Sequence, residues 1–384
     1  MGGRGRRAII IGAGPGGLTS AIALRRAGFE VAVYERAQEM REIGSGLTLW
    51  PNAMQALEKL ELAEAVRAES LPSAGIAMRS WRGAPLFFAG SEKTADDPAP
   101  VYGLAIHRAE LQRILLNALG EDAVRLDARC TGFRQESGKV TAQFEGGRAA
   151  TGDVLIGADG IRSVIRDRLF GERPLRYAGY TVWRGVTPFP LKDGVGLTSM
   201  GRGEQFGLFP MTRGRAYWFA SAIAPEGGRD WPVGRKRELL ERFRGWHAPI
   251  CDVIEATEEA AILRSDIYDQ TPARAWSKGN VTLLGDAAHP TTPGLGQGAC
   301  QAIEDGVVLA NCLVEKGDVA SALKAYEARR IPRTSAITTQ SRRMGEMGKW
   351  RNPFACWLRN MLIRSIPENL MLQQLSRVFS FDGH

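Results

Sequence analysis

A glycine-rich loop near the amino terminus carries the first residues that could bind a nucleotide cofactor. It reads Gly12-x-Gly14-x-x-Gly17, and an acid, Glu35, follows at the end of the next apolar run. In such a loop the first glycine permits a tight turn, the second lets the backbone approach a pyrophosphate, and the third allows close helix–strand packing. Free amides at the helix start attract phosphate, and Glu35 can accept hydrogen bonds from ribose hydroxyls. The motif predicts a dinucleotide site but does not distinguish NAD from FAD.

A second acid-bearing turn follows the apolar run "VLIG". It contains Asp159 and Gly160, and Ser163 and Arg166 follow one helical turn apart. Asp159 at the end of a strand suits a contact with a cofactor. It equally suits the cap of the next helix, and the sequence leaves both roles open.

A third turn lies in "LLGDAAHPTTPGLGQGACQAIEDG", which begins at Leu283. Asp286 is placed where a carboxylate can bind polyol hydroxyls, and the following helix would start with free, positively polarised amides. Three closely spaced glycines lower stability through conformational entropy, which suggests that a ligand needs the bare backbone there. They could also be simple hinges. The three are Gly294, Gly296 and Gly298. A simple NAD domain has no use for a second cofactor loop, so the pair of loops favours FAD.

The elements that must position these turns are visible in the pattern of apolar residues. Residues 7–35 read as strand, turn, helix and strand, which is a βαβ unit with parallel strands. Two β-rich segments, at about Ala74–Val101 and Tyr177–Ala224, interrupt the α/β pattern. One sheet domain built from noncontiguous pieces, with a β-rich insertion, explains this order.

We therefore expect an α/β fold. It has a Rossmann-like FAD-binding domain, an inserted, mainly antiparallel β-sheet substrate domain and a helical C-terminal segment. The predicted ranges are 1–73, 102–175 and 265–345 for the FAD-binding domain, 74–101 and 176–264 for the substrate domain, and 346–384 for the C-terminal segment.

Composition excludes several other classes of protein. The 384 residues carry a net charge of +8, but the arginines are scattered and no nucleic-acid motif accompanies them. A basic surface that attracts anionic cofactors or acidic substrates explains the charge better. The five cysteines form no CxxC pair, which argues against a disulfide framework or zinc site and favours a reducing, cytoplasmic location. No apolar run approaches the roughly 20 residues that cross a bilayer.

The tail contains an amphipathic helical pattern. Its apolar face consists of Phe354, Trp357, Leu358, Met361 and Leu362. Packing on the flavin domain, or on a second subunit of a homodimer, is the commoner use of such a face. Peripheral contact with a membrane is the alternative, because basic amphipathic helices also lie on bilayers.

The three motifs, in this order and at these separations, resemble those of the single-component flavoprotein aromatic hydroxylases, the para-hydroxybenzoate hydroxylase-like monooxygenases. Zeaxanthin epoxidase-like, urate hydroxylase-like and salicylate hydroxylase-like members look closest. The resemblance extends from Ala8 to about Arg330. It implies a monomeric or homodimeric enzyme that uses FAD, NADPH or NADH, and O2. Such an enzyme hydroxylates or epoxidises an aromatic, polycyclic or polyene small molecule through a C4a-hydroperoxyflavin.

Two alternatives stay open at this point. A reductase or dehydrogenase of the same fold would share these motifs without inserting oxygen. A nicotinamide-only dehydrogenase, or a non-catalytic nucleotide-binding module, is disfavoured by the second cofactor loop around Asp286.

The resemblance also implies individual cofactor contacts. The first loop holds the pyrophosphate, Glu35 the adenosine ribose and Asp286 the ribityl chain. The segment Arg41–Ala53 passes beside the isoalloxazine, and Arg108 contacts FAD from the helix that it opens. The implied cofactor-binding residues are Gly12, Gly14, Gly17, Glu35, Arg36, Arg41, Gly46, Arg108, Asp159, Gly160, Asp286, Pro293, Gly296, Gln297 and Gly298.

The inserted sheet should select the substrate. Trp183, Arg184, Tyr217, Trp218 and Phe219 fit the floor under a flat substrate, although alternation along a strand sends some of these side chains elsewhere and aromatic residues in strands often form plain core.

Candidate catalytic residues are His289, Arg184 and Tyr217, and no catalytic base is assigned. His289 could shuttle a proton or simply bond to backbone. The four histidines lack metal-ligand spacing, so no metal site is predicted. Urate hydroxylase-like relatives should carry an arginine near Gln205, which disfavours urate.

Overall fold

The computed structural model describes residues 5–40, 45–90, 103–191, 194–228 and 234–381. The strands are β1 (Arg7–Ile11), β2 (Glu30–Tyr34), β3 (Gly46–Leu49), β4 (Leu71–Pro72), β5 (Gly75–Ser80), β6 (Pro85–Gly90), β7 (Leu104–His107), β8 (Val124–Arg125), β9 (Cys130–Glu136), β10 (Lys139–Phe144), β11 (Ala149–Gly152), β12 (Val154–Gly157), β13 (Arg176–Pro188), β14 (Gly196–Met200), β15 (Glu204–Met211), β16 (Arg215–Ile223), β17 (Leu263–Asp269) and β18 (Val281–Leu283).

The helices are α1 (Pro15–Arg26), α2 (Pro51–Glu58), α3 (Ala63–Ala68), α4 (Arg108–Leu119), α5 (Val164–Phe170), α6 (Arg235–Arg242), α7 (Ile250–Glu255), α8 (Gly298–Glu315), α9 (Val319–Gly348), α10 (Pro353–Ser365) and α11 (Glu368–Phe379). Short 3-10 helices are Glu121–Ala123, Glu145–Gly147, Glu259–Ala261, Gly285–Ala287 and Pro293–Leu295.

A five-stranded parallel sheet, ordered β18-β12-β1-β2-β8, forms the centre of the predicted FAD-binding domain, which we call the flavin domain. The apolar runs Ala8–Ile11 and Val154–Gly157 are buried, because helices and loops cover both faces of a parallel sheet. β1 and β2 pair in register Ile9–Ala32, as the βαβ prediction requires. Two small sheets, β11-β10-β9 and β3-β7-β4, flank this centre.

A seven-stranded sheet, ordered β17-β13-β16-β15-β14-β5-β6, forms the second layer. Its neighbouring strands are antiparallel except for the parallel pair β14–β5, so the predicted fold class is confirmed. The strands come from both β-rich insertions, and β17 runs across the predicted boundary at residue 265.

The two faces of this sheet have different neighbours. Trp183 and Trp218 pack with Phe243 in a buried cluster under α6 and α7. Tyr217 and Phe219 lie on the opposite face, where they pack with Ala105 of β7 in the flavin domain. Strand alternation therefore divides the aromatic residues of β13 and β16 between a plain core and the domain junction.

The C-terminal helices pack on two different parts of the molecule. The inner side of α10 places Ile363 against Leu86 and Met200 of the seven-stranded sheet. The end of α11 instead reaches the flavin domain, where Phe379 stacks on Trp50 with 4.2 Å between ring centroids. In the part of the chain that the structure describes, the apolar face of α10 does not pack on the flavin domain, one of its two commoner expected uses, because those side chains are exposed. Among the described helices, none has the length and apolar content to cross a membrane.

Candidate cofactor and substrate site

The three predicted motifs meet at one edge of the parallel sheet. Strands β1, β12 and β18 are consecutive neighbours, and each leads directly into one motif: Gly12 follows β1, Asp159 follows β12 and Asp286 follows β18. The carboxyl ends of parallel strands form the usual ligand-binding edge of such sheets. Sequence motifs separated by more than a hundred residues therefore lie side by side at this edge, and we call the space in front of them the cleft.

Glycines in the first loop serve different purposes. Gly12 has φ +108°, and a Cβ there would overlap the carbonyl oxygen of Ala158. A Cβ on Gly17 would overlap the carbonyl oxygen of Gly12, so both positions exclude side chains through crowding within the protein. Gly14 has φ −72°, and no protein atom lies within 4 Å of its Cβ position. The space in front of Gly14 and the free amides of α1 fits a pyrophosphate.

Glu35 also braces the loop. Its Oε2 accepts a hydrogen bond from the Ala13 amide at 2.8 Å, and its Oε1 accepts one from the Ala37 amide at 3.0 Å. Gln112 of α4 donates to the Ala13 carbonyl at 3.2 Å. Gln112 is absent from the predicted contacts, although its spacing of four residues from Arg108 places both on one side of the same helix. Arg36 is exposed beside this acid.

Asp159 combines the two roles left open by the sequence. Its Oδ2 accepts a hydrogen bond from the Ile165 amide at 3.2 Å, which supports the start of α5. Its Oδ1 is buried and has no hydrogen-bond partner among the described residues. Burial raises the pKa of this carboxyl, and hydrogen bonds from Ser163 and Ile165 oppose the rise. The free oxygen is suited to a ligand hydroxyl. Gly160 next to it has a positive φ.

Asp286 and Arg108 come from different elements, the third motif and the start of α4, and their charges interact. The Asp286 side chain is accessible in the cleft, yet withdrawal from bulk water raises the pKa of its carboxyl, and the charges of His289 and Arg108 oppose this effect. Arg108 is the first residue of α4, where a cation opposes the helix dipole unless an anion lies nearby. The pair is therefore suited to a ligand that carries both hydroxyls and phosphate.

The helix after the third turn begins without a side-chain cap. Gln297 precedes it, no acid lies in the first turn, and the first amides of α8 are therefore open to a ligand. Gly298 has room around its Cβ position, which would lie 3.9 Å from Oδ1 of Asp286. In contrast, a Cβ on Gly294 would overlap the Ser341 carbonyl of α9, and Gly296 has φ +63° after the turn at Pro293. The three glycines are therefore explained separately: Gly298 by the open space at its Cβ position, Gly294 by close contact with α9, and Gly296 by its positive φ.

A buried arginine joins the second and third motifs. The guanidinium of Arg166 donates to the carbonyl of Ile161 at 2.8 Å and to that of Ala287 at 3.4 Å. Ala287 directly follows Asp286, so this contact helps to fix the acid in the cleft.

A buried polar network that was not predicted from the sequence lies behind the third motif. Glu304 and Asp305 of α8 bind Arg330 of α9, and the contact from Arg330 Nε to Asp305 Oδ1 is 2.6 Å. Asp305 also accepts a hydrogen bond from the Gly285 amide at 3.0 Å. An acidic pair inside an otherwise apolar helix was the signal, because buried acids need partners.

His289 and Gln297 turn their side chains into this network. The Nε2 of buried His289 lies 2.6 Å from Asp305 Oδ2, so its ring is bound to a carboxylate and not to backbone. Gln297 is buried and its Oε1 accepts from Asn52 at 2.9 Å. This geometry supports a positioning role for His289, and it leaves the backbone of Gln297 as the part able to face a cofactor.

The network predicts acid sensitivity. Burial by itself would raise the pKa of Asp305, but the charges of His289 and Arg330 and their hydrogen bonds bring it from 3.8 down to about 2. A depressed native pKa contributes stability above the unfolded value, and this contribution is lost as pH falls from about 4 to about 2. We expect the free energy of unfolding of Asp305→Asn to fall less steeply over this pH range than that of the wild type. Denaturant titrations of the FAD-free proteins measure this difference. Exposed Asp127→Asn should leave the slope unchanged.

Arg184 and Tyr217 lie at the junction between the two domains. The Tyr217 ring packs against Gly46 of β3, the segment expected beside the isoalloxazine. Burial raises the pKa of the Tyr217 hydroxyl, and the charge of Arg184 and a hydrogen bond with it oppose the rise. Burial also raises the pKa of Tyr180 to about 12, opposed by Thr292 of the third motif and by Arg184. Arg184 therefore lies between the two segments that approach from the flavin domain.

Arg184 is half-buried and has no acidic partner among the described residues. The arginines Arg176 and Arg342 bind Asp269 at 2.8 and 3.0 Å, whereas Arg184 forms no ion pair with any described carboxylate. A half-buried cation without a counter-ion is suited to an anionic ligand group. Of the other predicted contacts, Arg41 lies outside the described residues.

Comparisons with known proteins agree with this geometry. A family model described as an FAD binding domain matches residues 6–341. The chain is 42% identical over 382 residues to the aurachin C monooxygenase/isomerase of Stigmatella aurantiaca, with 98% of each chain covered. It is 35% identical over 350 residues to the FAD-dependent urate hydroxylase of Klebsiella pneumoniae, covering 88% of this chain and 89% of the relative. The structure of HpxO from Klebsiella pneumoniae, complexed with FAD and uric acid, superposes with a TM-score of 0.89 at 30% identity, covering 97% of this chain and 96% of that one.

Proposed function

Since this chain belongs to the FAD binding domain family of flavin-dependent monooxygenases, we propose that it oxygenates a planar aromatic small molecule whose ring carries an anionic oxygen. Its reaction class is that of an FAD-dependent monooxygenase, which hydroxylates or epoxidises a small molecule with O2. Bound FAD, reduced by NADH or NADPH, supplies the activated oxygen. The choice of an anionic aromatic substrate is the finer part of the proposal and rests on Arg184.

The residues of the cleft fit FAD along its length. The open space at Gly14 and the free amides of α1 suit the pyrophosphate, and Asp286 suits the sugar-alcohol chain. The uncapped amides of α8 provide positive potential for the flavin end, an effect of about 0.3–1 kcal/mol at a helix terminus. Asp159 offers a buried acceptor that no described residue uses.

Arg184 would bind and orient the substrate. Its guanidinium can donate two parallel hydrogen bonds to an anionic oxygen and its neighbour on a flat ring. By favouring the ionised form, it would keep electron density on the ring carbons that electrophilic oxygen attacks. The Tyr217 hydroxyl, with its pKa raised by burial, stays protonated and can donate a further hydrogen bond.

The surroundings of Arg184 also restrict water. Tyr180 and Tyr217 beside it are buried, and Phe209 and Phe219 lie on the same face of the sheet. A charge–charge contact is stronger in such a site than in bulk water. This environment favours hydroxylation of an ionised ring over epoxidation of a hydrocarbon polyene, which would leave the cation without a partner.

Replacing Arg184 by methionine tests the substrate class. Loss of a hydrogen bond to a charged group costs about 1.5–3 kcal/mol, so we expect kcat/KM for the best phenolic or hydroxy-heteroaromatic substrate to fall roughly tenfold or more. Substrates are found by NADH or NADPH oxidation coupled to a product mass gain of one oxygen. FAD content should stay at the wild-type level, because Arg184 lies on strand β13 and not in any of the three cofactor motifs.

Exposed Arg134→Met, in the small sheet β11-β10-β9, is the matched control and should retain full activity. Each ring compound is compared with its methyl ether, which cannot ionise. Equal turnover of ethers and parent compounds, or an unaffected Arg184→Met variant, would contradict the anionic substrate. Protein that takes up no FAD would instead contradict the whole assignment.

A further inference from the structure

Helix α10 presents a large apolar face to the outside. We call the residues of this face the α10 patch: Phe354, Trp357, Leu358, Met361 and Leu362. Phe354 is 68% exposed, and Trp357 and Leu362 are each 56% exposed. Single exposed apolar residues are common on proteins, but a contiguous apolar face of this kind marks an interaction surface.

The opposite side of the helix explains why the patch faces outward. Cys356, Arg359 and Ile363 are buried against the protein. The Arg359 guanidinium donates to the carbonyl of Gly201 at 3.0 Å and to that of Met347 at 3.4 Å. These contacts anchor the helix through its polar and small residues, and the large apolar residues are left exposed among the described parts of the chain.

The patch lies in a segment without acids. Residues 347–367 contain no Asp or Glu but four cations, Lys349, Arg351, Arg359 and Arg364. Lys349 is neutralised by Glu346, while Arg351 and Arg364 are exposed. Arg359 pairs with carbonyls and with no described carboxylate, so its charge remains beneath the helix.

Two more exposed arginines lie beside this segment. Arg202 adjoins Gly201, which accepts the bond from Arg359. Arg82 lies in the hairpin before Pro85, whose carbonyl accepts a hydrogen bond from Arg364 at 2.9 Å. The apolar face therefore has an exposed arginine at each end of its helix, Arg351 and Arg364, and further exposed arginines lie on the loops that the helix contacts.

We propose that the α10 patch binds the surface of an anionic phospholipid bilayer, with α10 lying in the headgroup region. Aromatic and aliphatic side chains on one helix face, with arginines at its border, are the pattern of interfacial helices, and anionic lipids attract the cations. A two-fold contact with a second copy would bring the same cations together without acids to balance them. This inference does not depend on the substrate of the enzyme.

Vesicle co-sedimentation tests the proposal on the FAD-loaded protein. We expect binding to vesicles of phosphatidylcholine and phosphatidylglycerol, weaker binding to pure phosphatidylcholine, and release by salt. Trp357→Asp combined with Leu362→Asp should lower the bound fraction about tenfold. The variant loses two apolar side chains that would enter the bilayer, and its new negative charges repel anionic headgroups. FAD absorbance of the unbound fraction confirms that this variant is folded.

A matched control replaces an exposed aromatic residue elsewhere. Phe170 is 38% exposed at the end of α5, and Phe170→Asp should bind vesicles like the wild type. Arg351→Ser with Arg364→Ser should remove the preference for anionic lipid. Failure of the wild type to bind either vesicle would overturn the proposal, as would a dimer in sedimentation equilibrium that the α10 variant dissociates.

Discussion

Arg330→Met should lower the free energy of unfolding by about 3–5 kcal/mol, the cost of removing one partner from a buried ion pair. Arg330 is buried between α9 and α8, and it binds Glu304, Asp305 and Gln301. Methionine fills a similar volume, but it leaves Glu304 with Arg333 and Asp305 with His289 as their remaining charged or ionisable partners. Urea titration followed by circular dichroism measures the loss. FAD affinity should also weaken, because Asp305 holds the Gly285 amide at the start of the third motif.

The neighbouring residue provides the control. Arg329 pairs with Glu315 at 2.9 Å, and their side chains are 30% and 44% exposed. An ion pair of that exposure contributes about 0–1 kcal/mol, so Arg329→Met should be nearly neutral. Equal destabilisation by the two variants would show that the buried network has no special energetic role.

Gly17→Ala should raise the FAD dissociation constant by about a hundredfold, or roughly 3 kcal/mol. The new Cβ would overlap the carbonyl oxygen of Gly12, so the loop backbone must move away from the position that suits the pyrophosphate. Overpacking of this kind costs about 1–3 kcal/mol, so the FAD-free protein should also unfold more easily. Isothermal titration of apoprotein with FAD and thermal unfolding without FAD measure the two effects.

Gly14→Ala tests whether a side chain at this position would clash with the cofactor alone, and not with the protein. Gly14 has an ordinary backbone conformation and open space at its Cβ, so alanine should leave the stability of the FAD-free protein unchanged. FAD affinity should nevertheless fall, because the methyl group enters the space assigned to the pyrophosphate. If Gly14→Ala binds FAD like the wild type, the pyrophosphate does not lie at this position.

Local patterns predicted the fold where neighbours in sequence are also neighbours in space. The unit from β1 to β2 follows from a buried apolar run, a glycine-rich turn and an alternating strand. The alternation in β16 likewise predicted that its aromatic residues would divide between two faces. The face that meets the flavin domain could not be read from β16 alone, because it depends on Ala105 of β7.

The contacts of polar residues were the hardest to predict from the sequence where their partners are distant in the chain. His289 looked like a residue of the cofactor turn, but Asp305 and Arg330 decide where its ring lies. Gln112 supports the first loop from a helix about a hundred residues later. A side chain's type shows what it can bond, whereas helix packing decides what it reaches.

The sequence by itself determined the cofactor class, since the glycines and acids of three motifs carry their chemistry within a few residues of each other. It also determined the apolar face of α10. Only the tertiary structure decided that this face points outward, that Arg184 pairs with no described carboxylate and that the three motifs lie at one edge of the parallel sheet. The physical reason is that exposure, charge compensation and strand order all depend on which distant segments come into contact. Such contacts leave no pattern among neighbouring residues of the sequence.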